Sequence, residues 1–179
     1  RTSEKIINIK KINTLSKNIK TQVKKDLSNI IKKKKNFSNL EFNKTNIMGV
    51  LNLTPDSFSD GGKFNNYSKA FKQISNMIKS GANIIDVGGE STRPGSKTID
   101  PKIEWARIKY VLNNFKKKYK KICLSVDTRK SDIMVKSINC GADLINDVSG
   151  FKYDPFALVK LRDLNIPKVL HHMQGTPKT

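Results

Sequence analysis

The sequence predicts an α/β fold with parallel strands, and three observations lead to this prediction. Apolar segments of strand length alternate with amphipathic segments of helical length over most of the chain. The strand segments are apolar throughout rather than alternating, which is typical of parallel strands buried on both faces. Polar residues follow the strands, whereas the helix-to-strand turns, such as Ser80-Gly81-Ala82 and Cys140-Gly141-Ala142, are plain stops.

Two architectures share this alternation, an open doubly wound sheet and a closed TIM (β/α)8 barrel. The first strand is not followed by the Gly-x-Gly-x-x-Gly fingerprint of a dinucleotide-binding sheet. A barrel carries its active site on the loops after the strands, which is where the polar residues lie in this chain. We therefore expect a TIM (β/α)8 barrel, of which the chain holds about the first five βα units.

Each predicted element has its own local signal. Gly81 and Gly141 follow two of the helical segments and suit helix stops, and Pro101 suits a first helical turn. Strands are predicted over residues 47–53, 83–89, 121–126, 143–148 and 168–173. Helices are predicted over residues 67–82, 101–118, 131–140 and 155–164. The second of these helices is expected to bury Ile103, Ala106, Ile108, Val111, Leu112 and Phe115.

Residues 1–45 differ from the rest of the chain. They contain neither Gly nor Pro and hold 13 basic residues against 3 acidic ones. Between Ile12 and Ile30, apolar residues recur at steps of three and four, which predicts an amphipathic helix. A basic amphipathic helix can bind membranes or RNA, but packing on its own domain is more common. We divide the chain into a basic leader or linker, residues 1–45, and the N-terminal part of a barrel, residues 46–179.

The charge and the cysteines narrow the class of protein. The 179 residues carry a formal net charge of +20, which raises the possibility of a nucleic-acid-binding module. Because Lys, Asn and Ile are abundant throughout, a general compositional drift explains much of this excess, and we expect neither a nucleic-acid nor a membrane partner. Cys123 and Cys140 are too few for a disulfide framework and lack zinc-ligand spacing. Two free thiols suit a reducing compartment, so we expect a cytoplasmic protein.

Several residues after the predicted strands have the chemistry of a binding site. Asp127 ends a strand, and its carboxylate can accept paired N–H groups from a heterocycle. Asn146 adds one donor and one acceptor, so the pair could recognise a flat polar ring. Arg93 matches phosphate oxygens, and the Asn52 amide oxygen can help to hold Mg²⁺. Thr92 adds a hydroxyl, and Met173 could pack on the face of the ring or fill the barrel core.

Five strand-end motifs resemble those of the dihydropteroate synthase family, and they occur in the same order. The two longest are Asn52-Leu-Thr-Pro-Asp-Ser-Phe-Ser-Asp-Gly-Gly62 and Asp86-Val-Gly-Gly-Glu-Ser-Thr-Arg-Pro-Gly95. The other three are Ser125-Val-Asp-Thr128, Ile145-Asn-Asp147 and His172-Met-Gln-Gly-Thr-Pro177. The resemblance runs from about Asn46 to the last residue, and two motifs of this length are highly specific.

The resemblance implies a function and a set of site residues. The family condenses 7,8-dihydropterin pyrophosphate with p-aminobenzoate by an SN1-like displacement, giving 7,8-dihydropteroate and pyrophosphate. Sulfonamides are analogues of p-aminobenzoate. By resemblance, the pterin ring would contact Asp127, Asn146, Val148 and Met173; the pyrophosphate would contact Asn52, Thr92 and Arg93; Phe58 and Pro94 would enclose p-aminobenzoate; and Asp60 would pair with Arg93. The implied catalytic residues are Asn52, Thr92, Arg93 and Asp127, with Asn52 binding Mg²⁺.

The chain departs from the family pattern in one respect. The family barrel has eight strands, and only five are predicted here. We therefore expect this segment to be inactive by itself and the full-length enzyme to be a homodimer, as is common in the family. A pterin-binding methyltetrahydrofolate methyltransferase domain is the alternative within enzymes, although it has no use for the Asn52-to-Gly62 motif or for Thr92-Arg93-Pro94. A basic nucleic-acid-binding module is the alternative from another class.

Overall fold

The computed structural model describes residues 8–32, 35–54, 63–91 and 95–171, with only the backbone described for residues 63–66. The chain separates into two compact units, Arg1–Lys35 and Asn36–Thr179. The predicted domain boundary after residue 45 remains a prediction. Within the described ranges, no helix combines the length and the apolar character needed to cross a lipid bilayer.

The first unit contains a short 3₁₀ helix, Ile9–Thr14, and helix α1, Lys17–Ile31. The Asn8 side chain caps the 3₁₀ helix by accepting a hydrogen bond from the Lys10 amide at 2.9 Å. Ile19 and Ile30 on α1 are exposed. The amphipathic helix predicted from residue 12 to residue 30 is thus confirmed over most of its length, with an interruption between the two helices.

The second unit is a parallel α/β arrangement, which confirms the predicted alternation. Its strands are β1 Met48–Asn52, β2 Ile84–Gly88, β3 Cys123–Asp127, β4 Leu144–Asp147 and β5 Lys168–Leu170. Its helices are α2 Lys63–Lys79, α3 Pro101–Lys118, α4 Ser131–Asn139 and α5 Ala157–Leu161. The sheet order is β1-β2-β3-β4-β5, and every neighbouring pair is parallel. This sequential order of βα units is the order in a TIM barrel.

The two faces of the sheet differ because successive strand residues point to opposite sides. One face, the outer face, packs against the helices through fully buried apolar side chains. Those on the strands are Leu51, Ile85, Val87, Leu124, Val126 and Ile145, and their helical partners in the same core include Ile74, Ile108, Leu112 and Phe115. Aromatic side chains join α2 to α3, with the rings of Tyr67 and Tyr110 stacked at 4.0 Å between centroids.

The other face, the inner face, is lined by three successive rows of strand residues. The lowest row includes Ile84 and Cys123 and is covered by Leu40, which is 2 % exposed. The middle row includes Asp86 and Ser125. The uppermost row lies at the carboxyl ends of the strands, the end at which a parallel α/β fold presents its site. The segment just before β1 therefore closes the bottom of the inner face and leaves its top for chemistry.

One prediction about the core was wrong. Ile103 and Ala106 on α3 are exposed, whereas the side chain of Glu104 between them is fully buried. The face of α3 that meets the sheet is therefore rotated from the one that the apolar residues indicated. The reason is that Glu104 is hydrogen-bonded and ion-paired at this position, as described below. The other four residues expected in this helix core, Ile108, Val111, Leu112 and Phe115, are fully buried as predicted.

Candidate functional site

The uppermost row of the inner face brings together three of the predicted site residues. Asn52 is the register partner of Gly88, Gly88 of Asp127, and Asp127 of Asn146. We call these four residues the inner-face row. Each is at or next to the carboxyl end of its strand, so their side chains share one rim. Segments that are up to 94 positions apart in the chain, from Asn52 to Asn146, meet there.

Gly88 leaves a gap in the inner-face row. A Cβ built at Gly88 would lie 3.4 Å from Asn52 Oδ1, 3.6 Å from Asp127 Cβ and 3.7 Å from Asp127 Oδ2. Two polar side chains from the neighbouring strands thus face the same small space. A side chain at position 88 of β2 would occupy that space. The glycine lets another molecule approach the sheet backbone between a carboxylate and an amide.

Asp127 has the electrostatics of a site residue. Its Oδ1 atom is buried and has no hydrogen-bond partner among the residues that the structure describes. Burial raises the pKa of Asp127 to about 7, the negative charges of Asp86, Glu104 and Asp147 add to the rise, and Arg129 opposes it. A buried carboxylate oxygen without a donor is costly, and such groups concentrate at functional sites. The Asp127 carboxyl group is therefore the candidate in this row for a contact with a ligand that brings an N–H group.

Asp86 lies in the middle row, one step below Asp127. Its Oδ1 atom accepts a hydrogen bond from Ser125 Oγ at 2.5 Å, and its Oδ2 atom accepts one from Asn146 Nδ2 at 3.0 Å. Burial raises the pKa of Asp86, and these two hydrogen bonds oppose the rise. The residue is 3 % exposed. Asp86 therefore supports the inner-face row from beneath.

A second buried polar cluster lies just after the ends of β2 and β3, and we call it the charge network. It consists of Glu90, Glu104, Arg129 and Lys130. Lys130 Nζ lies 2.5 Å from Glu104 Oε2 and 3.1 Å from Glu90 Oε1, and Arg129 binds Glu90 Oε2 at 2.9 Å. Although burial opposes it, hydrogen bonds from the Ile99 amide, Arg129 and Lys130 lower the pKa of Glu90.

The charge network ties the loops to α3. Thr128 Oγ1 donates to Glu104 Oε1 at 2.6 Å, so both oxygens of that fully buried carboxylate have partners. The Ile99 amide donates to Glu90 Oε1 at 3.0 Å, which fixes the segment leading into α3. The guanidinium of Arg129 also lies 4.2 Å from the centroid of the Tyr153 ring. These charges neutralise one another and serve to hold the loops in place.

Val148, a predicted ring contact, follows β4 and is half-buried. The turn after it is held by Asp147, whose Oδ1 accepts from the Ser149 amide at 2.8 Å and whose Oδ2 accepts from the Phe151 amide at 3.0 Å. Val148 lies in this turn, directly after the end of β4. Its contact with a ring remains a prediction.

Six of the predicted site residues lie outside the described residues. They are Phe58, Asp60, Thr92, Arg93, Pro94 and Met173. Their assignment to p-aminobenzoate, to the pyrophosphate and to the ring face remains a prediction. The described part of the predicted site consists of Asn52, Asp127, Asn146 and Val148, and the rest of it is known from sequence alone.

Sequence reasoning missed two residues that shape the site, Asp86 and Gly88. Both occur inside a motif that was recognised, but each also reads as an ordinary strand residue. An ionisable residue in the middle of an apolar strand was the available signal for Asp86, because such a side chain needs buried partners. Gly88 gave a weaker signal, since a glycine in a strand can mark either a bulge or a close approach.

The described residues have few protein ligands for a metal ion. Within residues 8–32, 35–54, 63–91 and 95–171, no group of three or more His, Cys, Asp or Glu side chains is arranged to hold one. The exposed Asn52 supplies one amide oxygen at the rim. Mg²⁺ is commonly bound by one or two protein oxygens together with substrate phosphates and waters. The donor set therefore fits an Mg²⁺ ion that arrives with a phosphate, and it does not fit a metal held by protein side chains alone.

The fold and the inner-face row define a parallel α/β protein with polar side chains grouped at the carboxyl ends of its strands. The chain matches the pterin binding enzyme family over residues 48–179. It is 46 % identical over 135 residues to the dihydropteroate synthase of Clostridium beijerinckii. The aligned region covers 74 % of this chain and 50 % of that protein. The chain therefore belongs to the pterin binding enzyme family.

Solved structures give the same result. A Xanthomonas albilineans dihydropteroate synthase with 4-aminobenzoic acid aligns with a TM-score of 0.70 at 38 % identity, covering 75 % of this chain and 49 % of that one. A Yersinia pestis dihydropteroate synthase in a complex with a sulfonamide drug aligns with a TM-score of 0.68 at 40 % identity, covering 77 % and 50 %. The chain spans about half the length of the relatives that it matches.

Proposed function

We propose that this chain forms the pterin-binding half of a dihydropteroate synthase. The complete enzyme would join 7,8-dihydropterin pyrophosphate to p-aminobenzoate, giving 7,8-dihydropteroate and pyrophosphate. One observation carries the proposal: Asp127 and Asn146 lie side by side at the strand ends, Asp127 Oδ2 borders the gap at Gly88, and Asp127 Oδ1 is buried without a partner among the described residues. A flat ring with N–H groups on its edge matches this arrangement.

The described residues would bind and orient the ring. Asp127 would accept N–H groups, Asn146 would add a second acceptor and a donor, and Val148 would form an apolar wall. The space at Gly88 would let the ring lie against the sheet backbone. A ring bound in this way would be shielded from water on the side of the sheet, which would favour attack by the amine over hydrolysis.

The remaining roles rest on the sequence motifs. Thr92 and Arg93 would bind the pyrophosphate, Phe58 and Pro94 would enclose p-aminobenzoate, Asp60 would pair with Arg93, and Met173 would pack on the ring. Asn52 would help to hold Mg²⁺, which would neutralise charge on the departing pyrophosphate. The carbon–oxygen bond to pyrophosphate breaks with its electron pair leaving on oxygen, the aniline nitrogen bonds to the carbon, and that nitrogen releases a proton to solvent.

The test uses the complete protein encoded by the reading frame that contains these residues. Supplied with 7,8-dihydropterin pyrophosphate, p-aminobenzoate and Mg²⁺, it should produce dihydropteroate and pyrophosphate in equal amounts. Asp127→Ala should lower kcat/KM by about 100-fold or more, because a charge-assisted contact to the ring is lost. A folded protein that forms no dihydropteroate would overturn the proposal.

Competition with a sulfonamide separates this function from methyl transfer. A sulfonamide should compete with p-aminobenzoate in the dihydropteroate synthase, and it has no site in a methyltransferase acting on methyltetrahydrofolate. Methyl transfer from methyltetrahydrofolate to a corrinoid, without sulfonamide sensitivity, would favour the alternative.

Within residues 36–179, the aromatic rings of Tyr67, Phe71, Tyr110 and Tyr119 pack between helices, which does not favour nucleic-acid binding.

Three further expectations belong to the same proposal. The 179 residues alone should not turn over pterin pyrophosphate, because the remainder of a barrel would be needed to close the site. The complete enzyme should be a homodimer and should reside in the cytoplasm. Size-exclusion chromatography with light scattering tests the first of these two properties, and fluorescence microscopy of a tagged protein tests the second.

A further inference from the structure

Asp86 has a contact that restricts how the site can recognise a ring. It is almost fully buried on the inner face, and its two carboxylate oxygens each accept one hydrogen bond, from Ser125 Oγ and from Asn146 Nδ2. In its ionised form, Asp86 accepts both bonds and has no proton to donate. Asn146 must therefore turn its NH₂ group toward Asp86, since the opposite orientation would place two oxygens against each other.

The fixed orientation decides what Asn146 offers to a ligand. With one N–H group bound to Asp86, Asn146 keeps its carbonyl oxygen and one N–H group. Its register partner Asp127 contributes a second acceptor. Two neighbouring acceptors fit a ring edge that presents two neighbouring N–H groups. An oxo group at one of those positions would instead face an oxygen.

We propose that Asp86 is a specificity-determining positioning residue, whose contact with Asn146 makes the site select an amino-substituted ring edge over its oxo counterpart. The proposal deepens the function proposed above and rests on it. Asp86 acts through Asn146 and does not itself touch the ring. A merely structural Asp86 would support the binding of every ring equally, so the ratio of two affinities separates the two roles.

The test replaces the carboxylate by an amide of the same shape. In Asp86→Asn, the new side chain can either accept from Asn146 Nδ2 or donate to Asn146 Oδ1, so the orientation of Asn146 is no longer fixed. The complete protein and this variant are titrated by calorimetry with 6-hydroxymethylpterin and with its 2-oxo counterpart, 6-hydroxymethyllumazine. Ser125→Ala is the matched control, because it removes the other hydrogen bond of Asp86 and leaves the contact with Asn146.

The expected results concern selectivity. The unmodified protein should prefer the pterin by about 100-fold or more, since a site built to bond an N–H group rejects an analogue lacking it. Asp86→Asn should reduce that preference to less than about tenfold, and Ser125→Ala should keep it. Equal weakening of both rings in Asp86→Asn, or an unchanged preference, would overturn the proposal. A folded unmodified protein that binds neither ring would overturn the proposed function as well.

A measurement on the unmodified protein covers the case in which Asp86→Asn does not fold. The side-chain amide of Asn146 is observed by nitrogen-15 NMR and assigned from its absence in Asn146→Asp. One of its two Nδ2 protons should exchange slowly with solvent before any ligand is added, because it is bonded to Asp86. Two protons that both exchange at the rate of a solvated amide would contradict the proposed orientation.

Discussion

The inner-face row and the charge network are two polar clusters near the carboxyl ends of β2 and β3, and they differ in whether their charges are matched. Gly88 and Glu90 are two positions apart, as are Asp127 and Arg129. In the charge network, Glu90 and Glu104 meet Arg129 and Lys130 at ion-pair distance. In the inner-face row, Asp127 keeps a buried oxygen with no donor within the described ranges. Burial and charge are common to both, and only the unmatched cluster is suited to bind a ligand.

The difference has a physical basis. A buried ion pair that is fully hydrogen-bonded holds its surroundings in one arrangement but leaves no group for a ligand. An unmatched carboxylate costs stability until a ligand supplies the missing donor. The charge network therefore stabilises the loops. The inner-face row lowers the stability of the fold, because it keeps a carboxylate oxygen unpaired until a ligand binds. Each of the following experiments acts on one cluster and spares the other.

The largest effect is expected from removing the cation shared by two buried carboxylates. Lys130→Met leaves Glu104 and Glu90 without their common partner, so the free energy of unfolding should fall by about 3–5 kcal/mol. Urea denaturation of the complete protein measures this change. Lys160→Met is the control, because Lys160 pairs with Asp132 at an exposed site, with side chains 39 % and 64 % exposed, and should cost less than about 1 kcal/mol. Similar losses in both variants would contradict the importance of burial.

Two adjacent glycines should give opposite results when each is changed to alanine. At Gly89, a Cβ would lie 2.9 Å from Ile108 Cγ2 and 3.0 Å from the Glu104 carbonyl oxygen, so the helix would have to move. Gly89→Ala should lower the free energy of unfolding by about 1–3 kcal/mol. At Gly88, the new methyl group would make ordinary contacts, and stability should change by less than about 1 kcal/mol. Gly88→Ala should instead weaken pterin binding at least about tenfold, because the methyl group occupies the gap.

Denaturation and calorimetry on the same two samples check this pair of variants. Ligand binding that survives in Gly88→Ala would show that the gap is not used. A Gly89→Ala variant as stable as the unmodified protein would show that α3 can move away from β2.

The pH dependence of stability should reveal Asp127. In the fold its pKa is raised from its ordinary 3.8 to about 7, so between these values the folded chain holds a proton that the unfolded chain releases. This contribution to stability is complete below about pH 4 and is lost as the pH rises through about 7, with the free energy of unfolding falling by about 1.4 kcal/mol per pH unit between the two pKa values. Asp127→Asn should remove that slope. Urea denaturation at pH 5, 6 and 7 gives the comparison, and parallel slopes in the two proteins would contradict it.

The sequence was sufficient for the order of the elements and for part of the site. Apolar strands and capped helices follow local rules, and the helix at 101–118 was predicted with the bounds that it has in the structure. Asn52, Asp127 and Asn146 could be expected at one rim because each is at or next to the end of a strand, and parallel strands end together. The burial of Glu104 in place of Ile103 could not be predicted, because it depends on Lys130 and Thr128, which reach it from another βα unit.

Asp86 illustrates the same limit within the site. Its position in β2 was clear, but its bond to Asn146 depends on the register of three strands, which no local pattern specifies. The gap at Gly88 likewise exists only because Asn52 and Asp127 lie on either side of it. Local sequence determined which residues stand at the rim, and strand pairing determined which of them work together.

The most direct test that the unmatched carboxylate binds the ring compares the affinity of the complete protein for 7,8-dihydropteroate with that of Asp127→Asn. Calorimetry at pH 8, where Asp127 is ionised, should show saturable binding to the unmodified protein and an affinity at least about 100-fold lower in the variant, which cannot supply the negative charge. Unfolding measurements should show the variant to be at least as stable. Equal affinities in the two proteins would contradict the assignment of Asp127, and with it the site described above.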